Sequence, residues 1–479
     1  MKGFLSRFRP FVYSRALAYM LQSTEYDPRA FFDWYKRTTD FGAVMHRRQL
    51  VLTKAARIFR LFVLCMTVVL YAAIAVIAVV SWPSPTGLGI AAALFLLAPF
   101  VKLIALMLLL LLARQFVSKP RERKALSEAK NILGDHKATI IAVAGSYGKT
   151  SMKELLKTVL GEGKKVAATP ANMNVATSHA LFARTLEGDE EIVVIEFGEG
   201  KPGDVERFSE MAGADIAVIT GLAPAHLDQY KTYDAAAQDI MTAAAGKQPG
   251  NVYMNISSPK LHSLFRTGYH AYNEQGCGSV VISEVKVGLE GTDFMMKIGE
   301  EAPVAMHTGL LGIHNLGPLA AAAEIAHSLG LTTEQIKQGI AKTTPFEHRM
   351  QPRKLAGGAY VIDDTYNGNI EGLRAGLALL KVLPAERKWY VTPGLVDQGP
   401  ETVAVHRELG TLIAAAAPQV VVLMKNSATN YIVDGLREAM YTGEVREETD
   451  PLKFYSNLDS FLASGDLALL QNDWTDNYA

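Results

Sequence analysis

Residues 139–151, TIIAVAGSYGKTS, combine the residue types and spacing needed to bind the phosphates of a nucleotide. Gly145-Ser146-Tyr147-Gly148 interrupts a β-branched apolar run, and Lys149, Thr150 and Ser151 open a helix-forming segment that continues to Leu160. Glycines let a backbone wrap closely around an anion, and the N–H groups at a helix start point at it. A lysine adds positive charge, and a threonine hydroxyl can ligate Mg²⁺. The spacing departs from the general nucleotide-binding motif, whose first glycine would fall at Val143. A glycine-rich strand-to-helix turn without a ligand is the alternative reading of the same residues.

Other polar groups follow apolar runs, where the carboxyl end of a strand would present them. Glu196 closes the run 192–195 and begins Glu196-Phe197-Gly198-Glu199-Gly200; a carboxylate there can complete a Mg²⁺ shell. His226 and Asp228 follow the run 216–220, and Asp363-Asp364-Thr365-Tyr366-Asn367-Gly368-Asn369 follows 360–362. Taken singly, such residues are most often turn formers or caps. Their recurrence downstream of a phosphate loop makes them candidates for nucleotide and metal binding.

To be brought together, these groups need a sheet whose strand ends share one edge. Residues 138–344 show the required alternation, with strands predicted at 140–144, 192–196, 216–220 and 252–255 and helices at 149–160, 176–186 and 233–245. Short antiparallel β structure is expected over 280–306, then an Ala-rich helix over 318–329. A second alternating unit begins near Pro345, with strands at 360–363, 389–392, 420–423 and 467–470 and helices at 370–381, 401–416, 428–441 and 451–462. The fold class is therefore α/β: a central phosphate-loop domain with a mostly parallel sheet, and a C-terminal Rossmann-like α/β domain over 345–479. Ligands of such sheets bind beyond the carboxyl ends of strands.

The 479 residues are enough for two or three domains. Lys and Arg total 48, as do Asp and Glu, so no global field recruits nucleic acid. Two cysteines, Cys65 in an apolar run and Cys277 in a Gly-rich turn, exclude a disulfide framework or a cysteine zinc site.

The 49% hydrophobic content is high for a soluble chain, and the excess is local. Residues 61–101 carry no charge and are split by Ser81-Trp82-Pro83-Ser84-Pro85-Thr86-Gly87. Segments 61–80 and 88–112 each reach the ~20 residues of a bilayer crossing, which predicts a two-helix transmembrane hairpin over 61–117. Cations crowd before the first segment and after the second, while the connection has none. Both ends are then expected to be cytoplasmic, with the two α/β domains facing the cytosol from the inner (cytoplasmic) membrane. A buried soluble hairpin is the alternative. Lys102, within the second segment, either serves a function there, meeting an anionic lipid head or a partner subunit, or snorkels to the boundary. Residues 1–60, basic and aromatic, are expected to form cytoplasmic helices at the membrane surface or a small soluble helical region, and 118–137 a charged linker.

From about Thr139 onward the motifs resemble the Mur ligase family, the ATP-dependent ligases of peptidoglycan precursor synthesis. Residues 145–151 match its phosphate loop, and Thr169-Pro170-Ala171-Asn172-Met173-Asn174 is similar to its Asn-containing loop. Asp363-Asp364-Thr365-Tyr366-Asn367 and His406-Arg407-Glu408-Leu409-Gly410 point to the branch that adds a dipeptide. The resemblance implies nucleotide binding by Gly145, Ser146, Gly148, Lys149, Thr150, Ser151, Asn315, Arg349, Asp364 and Asn367. It implies Mg²⁺ binding by Thr150, Glu196 and His226, and catalytic roles for Lys149, His226 and Arg349. ATP and Mg²⁺ are the implied cofactors. Many members carry a carbamylated lysine where this chain has Ile240; either Asp239 provides the carboxylate directly or the second metal site is altered. Gln471 stands where a strand usually ends in lysine, and the family's UDP-binding first domain has no counterpart.

The function expected is that of a membrane-anchored ligase. It would activate a carboxylate, on a cell-wall precursor or another acceptor, as an acyl phosphate and join it to an amino acid or dipeptide. A membrane transporter or synthase would be its neighbour. A poly-γ-glutamate synthase-like ligase and a non-catalytic ATP-binding membrane scaffold are the alternatives.

Overall fold

The computed structural model describes residues 5–24, 26–42, 52–171, 173–223, 230, 232–366, 368–395 and 398–472. The chain divides into two compact units, Met1–Glu122 and Arg123–Trp474.

In the larger unit, strand β1 (Thr139–Ala144) is buried from Ile140 to its end. Ile141 and Val143 join one core, and Ile140, Ala142 and Ala144 another, so both faces of the strand are covered. A strand apolar on both faces belongs inside a parallel sheet, and β1 pairs in parallel with β3 (Ile192–Glu196) and β4 (Ile216–Ile219). β2 (Val166–Ala168) lies outside β3, and β5 (Val252–Asn255) and β6 (His270–Asn273) extend the parallel part beyond β4. Four antiparallel strands complete the sheet: β7 (Gly276–Cys277), β8 (Val280–Gly288), β9 (Gly291–Ile298) and β10 (Val304–Thr308). Among the described residues the order is β10-β9-β8-β7-β6-β5-β4-β1-β3-β2.

The helix Lys149–Leu160 buries Met152, Leu155, Leu156, Val159 and Leu160, the stripe expected at helical period. These side chains share a core with the Ala-rich helix Leu316–Ser328, whose small residues allow close approach. Replacing a buried leucine such as Leu156 by alanine in a core of this kind costs about 3 kcal/mol. Helices Ala176–Ala183, Asp204–Ala212 and Tyr233–Met241 cover the opposite face.

The second sheet contains β11 (Gln351–Lys354), β12 (Tyr360–Asp364), β13 (Arg387–Thr392), β14 (Val420–Met424), β15 (Glu444–Glu448) and β16 (Asp466–Gln471), in the order β11-β12-β16-β13-β14-β15. All neighbours are parallel except β11 and β12. Helices Ile370–Val382, Thr402–Ala416 and Thr429–Glu438 pack on one face, and Pro451–Ser456 and Leu458–Phe461 on the other. The single helix expected over 451–462 is thus two, broken at Asn457.

The smaller unit contains helices Pro10–Ser23, Pro28–Arg37, Lys54–Val80 and Pro85–Ala113. The last two contain the expected segments 61–80 and 88–112 and are long and apolar enough to cross a membrane. Val68, Val69, Val76, Ile90, Leu96, Leu97, Ile104 and Leu108 are exposed along them. The two shorter helices pack against the long pair: Tyr13, Leu17, Met20, Phe31 and Trp34 share a core with Phe59, Val63, Leu103, Leu106 and Leu110. Half of Pro10–Ser23, chiefly its apolar residues, is buried in this core. Lys102 is fully buried, with Nζ 5.0 Å from the Tyr13 ring centroid and 5.3 Å from that of Tyr71, and does not snorkel.

Candidate active site

The phosphate loop lies between the end of β1 and the helix starting at Lys149. Gly145 adopts φ +150°, and a Cβ there would fall 2.3 Å from Thr220 Oγ1, so the β4 end leaves room only for glycine. Gly148, at φ +77°, forms the N-cap of the helix. The Ser146 N–H donates to the Gly221 carbonyl at 2.8 Å, and Ser146 Oγ accepts from the Ala223 N–H at 2.7 Å. The Tyr147 carbonyl accepts from the Thr220 hydroxyl. The loop is therefore braced along its length by the segment after β4. Burial raises the Tyr147 pKa, against a Ser258 hydrogen bond that lowers it.

Register sets the metal-binding candidates beside it. Val143 is paired with Glu196, so the glutamate stands beside the end of β1, two residues before Gly145. Glu196 Oε1 accepts from Thr150 Oγ1 at 3.1 Å and Asn174 Nδ2 at 3.2 Å. Oε2 is buried without a hydrogen-bond partner, with Lys153 Nζ 3.5 Å away. A buried carboxylate oxygen without a donor, next to a threonine hydroxyl, is a fit for a divalent cation. Among the described residues no three His, Cys, Asp or Glu side chains cluster closely enough to hold a metal alone. The donor set present, one carboxylate and one hydroxyl, suits Mg²⁺, which takes few protein ligands and completes its shell with phosphate oxygens and water.

A second cluster gathers at the carboxyl ends of β12 and β16. Arg349 stacks its guanidinium 4.4 Å from the Tyr366 ring centroid, between His348 at φ 59° and Met350 at φ 46°. Non-glycine residues in the left-handed region cost ~1–3 kcal/mol each and persist where surrounding contacts hold them. Those contacts come from the Asp pair: His348 Nδ1 lies 2.9 Å from Asp363 Oδ2, and the Met350 N–H donates to Asp364 Oδ1 at 3.2 Å. Asp364 Oδ2 accepts from Gln471 Nε2 at 2.8 Å, because register pairs these two strand-end residues. Burial pushes the Asp364 carboxyl up to about 6.

A phosphate loop and strand-end carboxylates on one sheet, with a stacked arginine and an aspartate on a second, coincide with two family models. The Mur ligase middle domain matches residues 143–326, and the Mur ligase, glutamate ligase domain matches 348–471. The chain belongs to the Mur ligase family. Mur ligases are ATP-dependent, ADP-forming ligases that use Mg²⁺. Similar curated proteins include the UDP-N-acetylmuramoyl-tripeptide–D-alanyl-D-alanine ligase of Mycobacterium leprae, 26% identical over 366 residues, covering 70% of each chain. The enzyme of the same name from Escherichia coli is 26% identical over 289 residues, 58% of this chain and 63% of that one. Similar solved structures include MurF from Acinetobacter baumannii, with TM-score 0.64, 19% identity and coverage of 74% of this chain and 77% of that one. MurF ligase from Thermotoga maritima in complex with ADP has TM-score 0.64 and 22% identity, over 74% and 80%. These two structures establish the fold.

Other expected Mur ligase positions stand as follows. His226, Asp228, Asn172 and Asn367 lie outside the described residues. Ser151 is half-buried in the first turn of the loop helix. Asn315 donates to the Leu311 carbonyl at 2.8 Å and lies 3.2 Å from His314 Nε2, in the turn before helix Leu316–Ser328. Asp239 is buried, and its Oδ2 accepts from the Tyr230 hydroxyl at 2.6 Å. Burial, reinforced by that carboxylate, raises the Tyr230 pKa well above the usual tyrosine range. His406 is a structural side chain, accepting from the Leu395 N–H at 3.0 Å and facing the Thr402 carbonyl at 2.6 Å.

Sequence reasoning missed Lys153, fully buried against Glu196, and the partner of Lys149. Lys149 Nζ donates to the Gly145 carbonyl at 2.7 Å and lies 2.6 Å from Glu199 Oε2. The available signal for Lys153 was its place among Met152, Leu155 and Leu156 on the buried side of an amphipathic helix. For Glu199 it was proximity to Glu196 after a buried strand.

Proposed function

We propose that this Mur ligase uses ATP to convert a carboxylate of a cell-envelope precursor into an acyl phosphate and joins it to the amine of an amino acid or dipeptide. The observation that carries this reading is the Thr150–Glu196 pair beside the phosphate loop, where the buried Glu196 Oε2 accepts no hydrogen bond. The similarity to UDP-N-acetylmuramoyl-tripeptide–D-alanyl-D-alanine ligases supports a peptidyl carboxylate and a dipeptide as substrates.

A carboxylate resists attack by an amine until one oxygen becomes a leaving group. In the proposed reaction a carboxylate oxygen attacks the terminal phosphorus of ATP and ADP departs. The amine nitrogen then attacks the acyl carbon, and inorganic phosphate leaves as the amide forms and the nitrogen loses its proton. Lys149 and the loop N–H groups face the phosphates and offset the charge that spreads over the transferring group. Thr150 and Glu196 would hold Mg²⁺, which would supply further positive charge there. Arg349 and Asp364 belong to the C-terminal domain, assigned to 345–479, and act on the nucleotide from that side; the ATP-binding domain is assigned to 138–344.

The same proposal places the enzyme in the cytoplasmic membrane, held by helices Lys54–Val80 and Pro85–Ala113. Their exposed apolar side chains and the uncharged run 61–101 support this placement. The test is ATP turnover by full-length protein in detergent with a panel of nucleotide-linked and lipid-linked peptidyl acceptors and amines. ADP formation should require acceptor, and Lys149→Ala should abolish it. Acceptor-independent turnover that survives Lys149→Ala would overturn the proposal.

A further inference from the structure

Glu199 is a carboxylate placed where phosphates are to bind. Its Oε2 lies 2.6 Å from Lys149 Nζ, and the two side chains are only 7% and 11% exposed. Lys149 also donates to the Gly145 carbonyl, so the charge of the loop lysine is already matched inside the protein. Nor is Glu199 a mobile surface group. The Phe197 N–H donates to the Val143 carbonyl at 2.9 Å, the Gly198 N–H to the Asn174 carbonyl at 3.0 Å, and a Cβ on Gly198 would fall 2.6 Å from that carbonyl oxygen. Backbone contacts therefore fix the turn that carries it.

An exposed ion pair exchanges partners at little cost, whereas a buried carboxylate stripped of its cation is strongly destabilised. A free nucleoside triphosphate would have to take Lys149 from Glu199 and then bring its own negative charges against the orphaned carboxylate. A nucleotide that arrives with a divalent cation meets neither penalty in full, because the cation screens the phosphates and gives the carboxylate a positive partner.

We propose that Glu199 makes nucleotide binding at this loop depend on the divalent cation, by holding Lys149 against phosphates that arrive without one. The inference rests on the reading of the loop as an ATP site. It goes beyond that reading in assigning to Glu199 the discrimination between cation-bound and free nucleotide.

The test is equilibrium binding of a fluorescent ATP analogue to full-length protein in detergent, in EDTA and in excess Mg²⁺. In the unaltered protein Mg²⁺ should tighten binding about a hundredfold. Glu199→Gln should tighten binding in EDTA about tenfold, which is ~1.4 kcal/mol, and so shrink the Mg²⁺ effect. In a Lys149→Met background the same change should lose most of that gain, the pairwise coupling of a double-mutant cycle. An unchanged Mg²⁺ ratio in Glu199→Gln, or weaker binding in EDTA, would overturn the proposal. If the glutamine variant has a lowered melting temperature, Glu199→Asp, which keeps the charge on a shorter arm, should loosen cation dependence in the same direction. No binding by the unaltered protein in either condition would overturn the ATP-site reading itself.

Discussion

Asp364 receives two neutral donors, the Gln471 amide and the Met350 N–H, in a setting with little water. Burial is the main reason its carboxyl rises to about 6, and nearby Arg349 acts in the opposite direction without cancelling it. Gly376 makes the arrangement possible, since a Cβ there would fall 2.2 Å from the Gln471 amide nitrogen. A lysine in place of Gln471 would bring a formal charge to the same carboxylate. The folded chain holds the Asp364 proton more tightly than the unfolded chain does. Stability from this group is therefore present at low pH and is lost as pH rises from about 4 to about 6. Asp364→Asn should flatten the pH dependence of the melting temperature across that window, measured by differential scanning calorimetry on nucleotide-free protein. A slope identical to that of the unaltered protein would contradict the assignment.

At the scale of elements, the phosphate loop is where backbone conformation decides most. Gly145 and Gly148 both have positive φ, but their surroundings differ. A methyl group at Gly145 would meet Thr220 Oγ1 at 2.3 Å and the Gly221 carbonyl at 2.9 Å, whereas at Gly148 the nearest atom is Thr220 Cβ at 3.5 Å. Gly148→Ala should therefore cost about 1 kcal/mol, the strain of a left-handed residue alone. Gly145→Ala should cost at least twice as much and weaken nucleotide binding further. Thermal unfolding and titration of the two variants give the order, and equal effects would show that Thr220 does not brace the loop.

The strands flanking the loop were legible because they are buried apolar runs ending in glycine or carboxylate. β2, β11 and β15 were not. They are short or edge strands, and β15, Glu-Val-Arg-Glu-Glu, has the charge that edge positions carry against mispairing. Helix Thr333–Ala341 was missed despite its Thr332/Gln335 capping box, a signal that could have been read. Among the candidate residues, Glu196, Lys149 and Asp364 stand out in the sequence as strand-end or loop groups. Glu199 and Lys153 do not, because their significance lies in partners brought together by register rather than by spacing. In the smaller unit, sequence showed Lys102 as an ionisable residue in an apolar helix but not what it meets. A desolvated cation–π contact is worth about 2 kcal/mol. The rings of Tyr13 and Tyr71 thus offset part of the several-kcal/mol cost of burying an ammonium whose Nζ finds no hydrogen-bond acceptor among the described residues.

Over the whole molecule, the family models cover 143–326 and 348–471, and the uncharged run lies before both. The part of the chain that matches Mur ligases thus contains the nucleotide-binding and metal-binding candidates. Residues 1–122 form a helical unit of their own.

The central claim, that ATP activates a carboxylate through an acyl phosphate, predicts the fate of one oxygen atom. With an acceptor labelled by ¹⁸O in its carboxylate, the amine displaces phosphate that carries one acceptor oxygen. Mass spectrometry of the inorganic phosphate should therefore find one ¹⁸O per amide formed, with ADP as the other nucleotide product. Label recovered in AMP, or phosphate released without label while amide accumulates, would contradict the account.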